Sequence, residues 1–523
     1  MKRMRWISSL LLLATITANA TKYYVSPKGD NANSGQTSKK AFASLGAAQA
    51  LVQPGDTVFI MPGTYTVGEE DFMTEENTGN EGQYKIVYHF TKSGEMQKPI
   101  CYIGKRDSDG RRPVFDFSNV KPENWRVTAF LVNADYLLFK NVEVIGIQVT
   151  RTDHTQSEYF RITNGSFNTF EDIACHDGMG IGFYLTRNSS NNLFINCDVY
   201  NNYDPISDVN EKTGLGSGGN NDGFGCHVNK NCPGNFFVGC RAWNNSDDGY
   251  DLINCHSAVT ICYSIAYRNG YDSDNKSRGD GNGFKAGGYG MDTVLVALPE
   301  SGAPMHEVYH CIAASNKSNG FYSNHHLGGV WFHENTSYRN GNYNYSLVNR
   351  QGPGKDEAVD VNGYGHRVER NLSMVSDGKE NHLTMLRDDE GENHIEGNTF
   401  YWIAKNRGGW GYNTYGNSIF ENTKAENFIL ARDTEGMLTE ETLTVLRQKS
   451  YLGLGCTFEG YQNEIAWARG RVGAEIGMTP TAIHAVETAP CTDYDATYDL
   501  QGRQVTHPDK GLYIRNGKKL IIR

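Results

Sequence analysis

Residues 239–251 read Gly239-Cys240-Arg241-Ala242-Trp243-Asn244-Asn245-Ser246-Asp247-Asp248-Gly249-Tyr250-Asp251, and two features of this stretch recur along the chain. The first is a short run in which a small polar residue or cysteine precedes a strand-like pair. It returns at Glu171-Asp172-Ile173-Ala174, Tyr263-Ser264-Ile265-Ala266, His310-Cys311-Ile312-Ala313 and Glu334-Asn335-Thr336-Ser337. Cys197 follows Asp172 by 25 positions, Ser264 follows Cys240 by 24, and Asn335 follows Cys311 by 24. The gaps of 43 from Cys197 to Cys240 and 47 from Ser264 to Cys311 accommodate one unit plus an insertion, or two units. The second feature is glycine before an aromatic ring: Gly182-Phe183, Gly223-Phe224, Gly249-Tyr250, Gly283-Phe284 and Gly320-Phe321, with Asn344-Tyr345 as a degenerate copy.

A period near 24 with short β-rich runs, asparagine-rich turns and frequent glycine predicts an all-β chain wound as a parallel β-helix. Each strand would pair with its equivalents one coil up and down, about 4.8 Å away. Equivalent residues therefore stack. The rings at 183, 224, 250, 284, 321 and 345 should form one inward ladder, and the cysteines at 197, 240 and 311 another inward row. A leucine-rich horseshoe is the rival solenoid, but its leucine spacing is absent.

Outward from these coils the pattern changes. Residues 21–70 begin extended at Tyr23-Tyr24-Val25, pass an alanine-rich stretch at 44–53 suited to a short helix, and turn into strands around Val58 and Tyr65. They read as the cap that seals one end of the core, which a solenoid needs. The coils are expected over 71–425. Residues 426–475 read as the end of the helix, with a helical stretch at 439–449, and 476–523 as a polar linker and a small C-terminal β appendage. The first twenty residues have the form of a signal peptide: Lys2, Arg3 and Arg5, an apolar run from Trp6 to Ile16, then Ala18-Asn19-Ala20. The expectation is an exported, soluble monomer in the periplasm or outside a Gram-negative cell. With Cys101 the first cysteine, no lipid anchor is expected.

The whole chain has 523 residues, a mean hydropathy of −0.55 and a formal charge of −11, which argue against a bundle of membrane spans and against a nucleic-acid partner. The 11 cysteines are odd in number and contain no C-x-x-C pair, so neither a complete disulfide framework nor a zinc site is indicated. Cys226 with Cys232, or Cys255 with Cys262, are the pairs that short loops would permit.

Aligning coils on the glycine-aromatic marker places Asp222, Asp248, Asn282 and Asn319 before the glycine, and Gly225, Asp251, Lys285 and Tyr322 after the ring. By strand alternation the second set points outward wherever the ring points in. Asp222, Asp247, Asp248 and Asp251 should then converge within two coils, with Lys285 beside them. Carboxylates so close repel one another unless a cation joins them. Hard oxygen donors on turns favour Ca²⁺. A bracing calcium site, a solvated acidic face and a plain Lys285–Asp251 ion pair are the structural alternatives. The functional one is a cation that binds an acidic sugar, with Lys285 as a Brønsted base abstracting the proton α to its carboxylate. A free lysine titrates near 10.4, and neighbouring aspartates raise that further, so an alkaline optimum is the expectation.

These motifs, Asn221-Asp222-Gly223-Phe224-Gly225, Trp243-Asn244-Asn245-Ser246-Asp247-Asp248-Gly249-Tyr250-Asp251-Leu252 and Gly279-Asp280-Gly281-Asn282-Gly283-Phe284-Lys285, resemble those of polysaccharide lyase family nine. With the Tyr24-Val25-Ser26-Pro27 cap, the resemblance covers most of the chain. It implies a right-handed parallel β-helix, calcium held by Asp222, Asp247, Asp248 and Asp251, and Lys285 as base in β-elimination. It also implies an acidic plant cell-wall polysaccharide as substrate. Rhamnogalacturonan I, cleaved in endo fashion, is preferred over polygalacturonate; Asn282, Lys317 and Arg339 are further candidate substrate contacts. A β-helix glycoside hydrolase, which needs two carboxylates about a bond and a water, and a non-catalytic carbohydrate-binding protein are the competing classes.

Overall fold

The computed structural model describes residues 20–472, except 69–70, 72–73, 78–82, 211–213, 289–302, 353–358, 361–364, 386–392 and 404–408, together with strands between 497 and 522. The expected signal peptide and Cys491 thus lie outside the described residues. Three long sheets run the length of the body, each built from successive coils in chain order. The first runs from Lys22–Val25 through Thr57–Ile60 to His394–Glu396, and the second from Thr64–Thr66 to Leu372–Met374. The third runs from the hairpin Thr74–Asn77 and Gln83–Phe90 to Leu383–Thr384. That hairpin is antiparallel, while the coil-to-coil pairings are parallel. This is the parallel β-helix that the period implied.

Its core follows from the register. Phe183, Phe224, Tyr250, Phe284, Phe321 and Tyr345 occupy one inward row, with ring centroids 4.6 to 5.5 Å apart. The row continues upstream through Phe160, Phe130 and Tyr88, where no glycine marks the coil. A second row, Tyr102, Phe139, Phe170, Phe194 and Phe237, meets it edge to face from the first sheet. Offset and edge-on ring pairs add about 0.5–1.5 kcal/mol each to area burial.

Single left-handed residues bend the chain from the first sheet into the second: Asn141, Asp172, Asn196, Gly239, Tyr263, His310, Glu334 and Arg370. Cys197, Cys240 and Cys311 follow this corner and point inward, each thiol donating to backbone carbonyls such as Phe170 O, Phe194 O and Ile261 O. At the next corner, Asn245, Asn269, Asn316 and Asn340 form a buried ladder. Each Oδ1 accepts the backbone N–H of the preceding rung, and each Nδ2 donates to a carbonyl of an earlier coil.

At the start, the helix Leu45–Gln49, capped by Ser44, buries Leu45 and Ala48 at the open end of the core. Lys22–Val25 and Thr57–Ile60 already belong to the first sheet and Thr64–Thr66 to the second, so sealing falls to the segment with the helix between the first two strands.

The other end departs from expectation. Residues 417–470 do not form terminal coils; they return along the outside of the first and second sheets. Arg432 and Arg241 share the buried carboxylate of Asp198 at 2.7 Å each, Tyr461 Oη donates to Asn196 at 2.7 Å, and Cys456 N–H reaches Thr336 Oγ1 at 2.9 Å. The cause is a second apolar cluster on the outer face, Leu193, Ile195, Phe236, Val238, Ile265 and Ile312, which this arm covers. The stretch expected to be helical over 439–449 is helical only at Glu440–Leu443, while Tyr461–Arg469 forms a longer helix. Residues 477–523 form a separate compact unit whose strands Thr497–Tyr498, Gly511–Arg515 and Lys518–Ile522 make a small antiparallel sheet.

The disulfide pairs allowed by loop length do not form. The ten described cysteines are thiols rather than halves of a disulfide. Cys255 belongs to the inner core and Cys262 to the outer cluster, on opposite faces of the coil wall. Cys226 lies instead beside Cys255, Sγ to Sγ 3.9 Å.

Candidate active site

The third sheet carries the site. Gly225 pairs with Asp251, Asp251 with Lys285 and Lys285 with Tyr322, one outward row on four successive strands. Glycine at 225, on one side of Asp251, makes room for Ile181 and Tyr184, which a Cβ there would meet at 2.8 and 3.3 Å. On the other side, Lys285 Nζ lies 3.0 Å from Asp251 Oδ2 and 3.1 Å from Asp248 Oδ2. Its side chain is 11% exposed.

The row before the glycine is a second rung-by-rung ladder. Asp222 Oδ1 accepts the N–H of Asp248, Asp248 Oδ1 accepts the N–H and Nδ2 of Asn282, and Asn282 Oδ1 accepts the N–H and Nδ2 of Asn319. Asp247 Oδ1 takes the N–H of Asp280 at 2.8 Å, and Asp251 Oδ1 that of Ile253 at 2.7 Å. All four carboxylates are therefore fixed by one oxygen to a backbone amide. The other oxygen, Oδ2, takes no backbone amide in these bonds; that of Asp251 accepts from Lys285 Nζ. Asp248 Oδ2 is buried without a hydrogen bond, facing only the Lys285 ammonium.

Oxygens of Asp222, Asp248 and Asp251 lie within 4.8 Å of one another. That spacing fits one hard cation, since Ca²⁺–oxygen distances of about 2.3–2.6 Å place opposite donors about 5 Å apart. Asp247 is buried next to this trio but stands outside the tightest grouping. Burial, and then the charges of Asp247, Asp251 and Asp248, hold the Asp222 carboxyl well above the usual range; burial and Asp248 do the same to Asp247. Asp248 is raised less, because Lys285 partly offsets its burial. Burial favours the neutral Lys285 amine, but Asp251, Asp248, Asp247 and Asp222 together outweigh it and keep the amine charged. A divalent ion is what this donor set lacks electrostatically, so the residues fit calcium.

The three further candidates divide. Asn282 is a buried rung whose amide is spent on Asp248 and Asn319. Lys317 folds over the loop before Asn282, its ammonium donating to the carbonyls of Arg278 and Gly279. Arg339 lies away from the outward row, over the ring of Tyr338. Tyr322 stands where the outward row put it; its hydroxyl, pushed up to about 12 by burial, bonds His325 at 3.2 Å beside Lys285. One residue escaped the sequence reading. His227, kept neutral by burial, packs edge-on to Tyr184 with an unpartnered Nε2. The signal for it was alternation: 227 is two positions past Gly225.

A solenoid with an acidic cation cradle and an amine on one outer wall defines the class, and comparison with known proteins agrees. Residues 23–370 match the family described as Pel9A-like, right handed beta helix region. The chain belongs to this family, that of polysaccharide lyase family nine. Pectate lyase L of Dickeya dadantii strain 3937 is 39% identical over 329 residues, covering 62% of this chain and 66% of that protein. The chain thus spans just under two thirds of that relative. Pectate lyase PEL9 of Emericella nidulans is 30% identical over 64% of this chain and 76% of its own. Among solved structures, a rhamnogalacturonan lyase superposes with a TM-score of 0.74 at 41% identity, over 84% of this chain and 100% of that one. Pectate lyase Pel9A gives 0.59 at 30% identity, over 83% and 90%.

Proposed function

We propose that the protein is an exported, calcium-dependent lyase that cleaves the galacturonate-containing backbone of pectin by β-elimination, with rhamnogalacturonan I as its substrate. The observation that carries this reading is the set of four aspartates, each pinned by one oxygen and offering the other beside Lys285. Asp222, Asp247, Asp248 and Asp251 would hold the ion, and their backbone bonds fix them before it arrives. Calcium, when bound, supplies positive charge that draws electron density from a uronate carboxylate and so acidifies the C5 proton. Lys285 stands in the outward row where substrate must lie. With the aspartate charges offset by a bound cation, the Lys285 ammonium would release a proton to solvent; the neutral Nζ then takes the C5 proton, the C4–C5 double bond forms, and the C4–oxygen bond breaks. The departing oxygen leaves with a proton, and the new chain end is an unsaturated uronide. Asn282 supports Asp248 rather than touching sugar, and Lys317 secures the loop that carries Asp280.

The preference for rhamnogalacturonan I rests on the greater likeness, in identity and superposition, to a rhamnogalacturonan lyase than to Pel9A. Polygalacturonate is the second reading, favoured by the names of the pectate lyase relatives. Product analysis on both polymers, with and without chelator, tests the proposal. An ultraviolet-absorbing unsaturated product from rhamnogalacturonan I, lost on chelation and restored by calcium, is the expected result. Saturated reducing ends would instead indicate hydrolysis, and binding without cleavage a non-catalytic protein.

A further inference from the structure

A second row of left-handed residues follows the second sheet: Asn244, Arg268, Ser315 and Arg339, with φ of 50°, 55°, 54° and 53°. Their backbone amides bond coil to coil, Asn244 to Tyr267, Arg268 to Ala314, and Ser315 to Tyr338, so the four side chains stack. Arg268 and Arg339 are thus two coils apart, about 10 Å, with only Ser315 between them. The strand-end row beside them repeats the alternation, Tyr267 pairing with Ala314 and Ala314 with Tyr338. Two small residues between two large pairs leave a dent. It is a cavity of about 310 Å³ with Arg268 and Arg339 as walls, Ser315 on its floor, and Tyr267 and Tyr271 alongside.

The charges are unusual for this chain. Arg241, Arg278 and Arg432 each bind an aspartate. Among the described residues, neither Arg268 nor Arg339 pairs with a carboxylate. Arg268 gives an N–H to Asn275 Oδ1, and the Nε of Arg339 is buried with no hydrogen-bond partner. Their guanidinium carbons lie 6.0 Å and 5.0 Å from the ring centres of Tyr267 and Tyr338. In a chain of formal charge −11, this is a place built for an anion.

The geometry points to an accessory subsite for a uronate-bearing oligosaccharide: the arginine forks take the carboxylate and the tyrosines flank the ring. Planar forks match carboxylates in a bidentate manner, and aromatic walls suit the apolar face of a pyranose. The loop that links this pocket to the cradle explains how one polymer could use both. Tyr271 lines the pocket, while Asp280, near the end of the same loop, holds Asp247. Lys317, next to Asn316 of the pocket lining, is bonded to that loop at Arg278 and Gly279. This inference rests on the polyuronide reading above.

The test is calorimetric titration of the full chain in chelator with trigalacturonate and, in parallel, with a neutral galactose trisaccharide. Trigalacturonate should bind and the neutral sugar at least tenfold less tightly, and R268A/R339A should lose at least tenfold in affinity for trigalacturonate. Should that variant not fold, Ser315→Gln, which fills the floor, carries the same expectation. Unchanged affinity in the variant, or equal binding of the neutral sugar, overturns the subsite. Absence of unsaturated product from every pectic polymer would instead remove the lyase reading, and the titration separates the two failures.

Discussion

Two ladders run through this solenoid on the same plan and end in opposite chemistry. In the corner ladder, Asn245, Asn269, Asn316 and Asn340 spend the amide oxygen on a neighbour's backbone and the amide nitrogen on a carbonyl, so nothing is left over. In the site ladder the first two rungs are Asp222 and Asp248, and the next two are Asn282 and Asn319. The oxygen facing the backbone is retained, but where asparagine would donate, aspartate presents a second oxygen. Exchanging amide for acid converts a structural fastening into a ligand without moving the chain. The cost is a buried charge that only Lys285 and a bound cation relieve.

The comparison can be broken most forcefully at Lys285. Lys285→Ala should lower turnover by about 10²–10⁴-fold while calcium affinity, read by titration, stays within a few-fold of the parent. Substantial residual elimination would reassign the base. Asp248→Asn turns the site rung back into a corner rung. Initial rates on the preferred polymer should fall about a hundredfold and calcium binding should weaken. In chelator, the melting temperature should rise, since one of four clustered charges is gone. The reverse exchange, Asn269→Asp, leaves the Ala242 carbonyl without its donor and buries a charge in a ladder of neutral amides. It should cost about 1–3 kcal/mol in denaturant unfolding, with activity per folded molecule preserved.

The smallest effect sharpens the comparison with a buried acid outside any ladder. Glu464, in the helix Tyr461–Arg469, has its carboxyl pushed up to about 7 by burial and by Glu307, against a Tyr309 hydrogen bond. A raised acid favours folding while protonated. Its contribution is complete below about 4.5 and is lost as pH rises through 7. Glu464→Gln should therefore stabilise the protein by about 1 kcal/mol at pH 8 and leave it unchanged near pH 4, as measured by thermal melts at both.

The coils were legible because stacking forces equivalence. The 24-residue spacing placed Phe183, Phe224, Tyr250, Phe284, Phe321 and Tyr345 in one ladder, and alternation then set Asp251 beside Lys285. Asp222 and Asp248 were also legible as a shared row, although their bond to the backbone was not. A side chain's second hydrogen bond depends on the coil above, which spacing locates only to the residue. The outer arm was missed for a different reason. Asn192-Leu193-Phe194-Ile195 and Phe236-Phe237-Val238 are apolar on both faces, the mark of a strand covered on two sides. A search for repeats registers the inward residue and passes over its neighbours. Arg339 could not be assigned a row from the sequence, because its row after the second sheet carries no glycine marker to align on.

That arm has a mechanical meaning. Coils of a solenoid ordinarily feel only their immediate neighbours, so an end can fray while the middle stays wound. Here one returning segment is fastened at Glu171, at Asn196 and Asp198 of the next coil, and at Thr336 four coils further along the axis. Peeling any one of these coils away means lifting the strap that binds the others, which couples the melting of the ends to the wall that carries the aspartates.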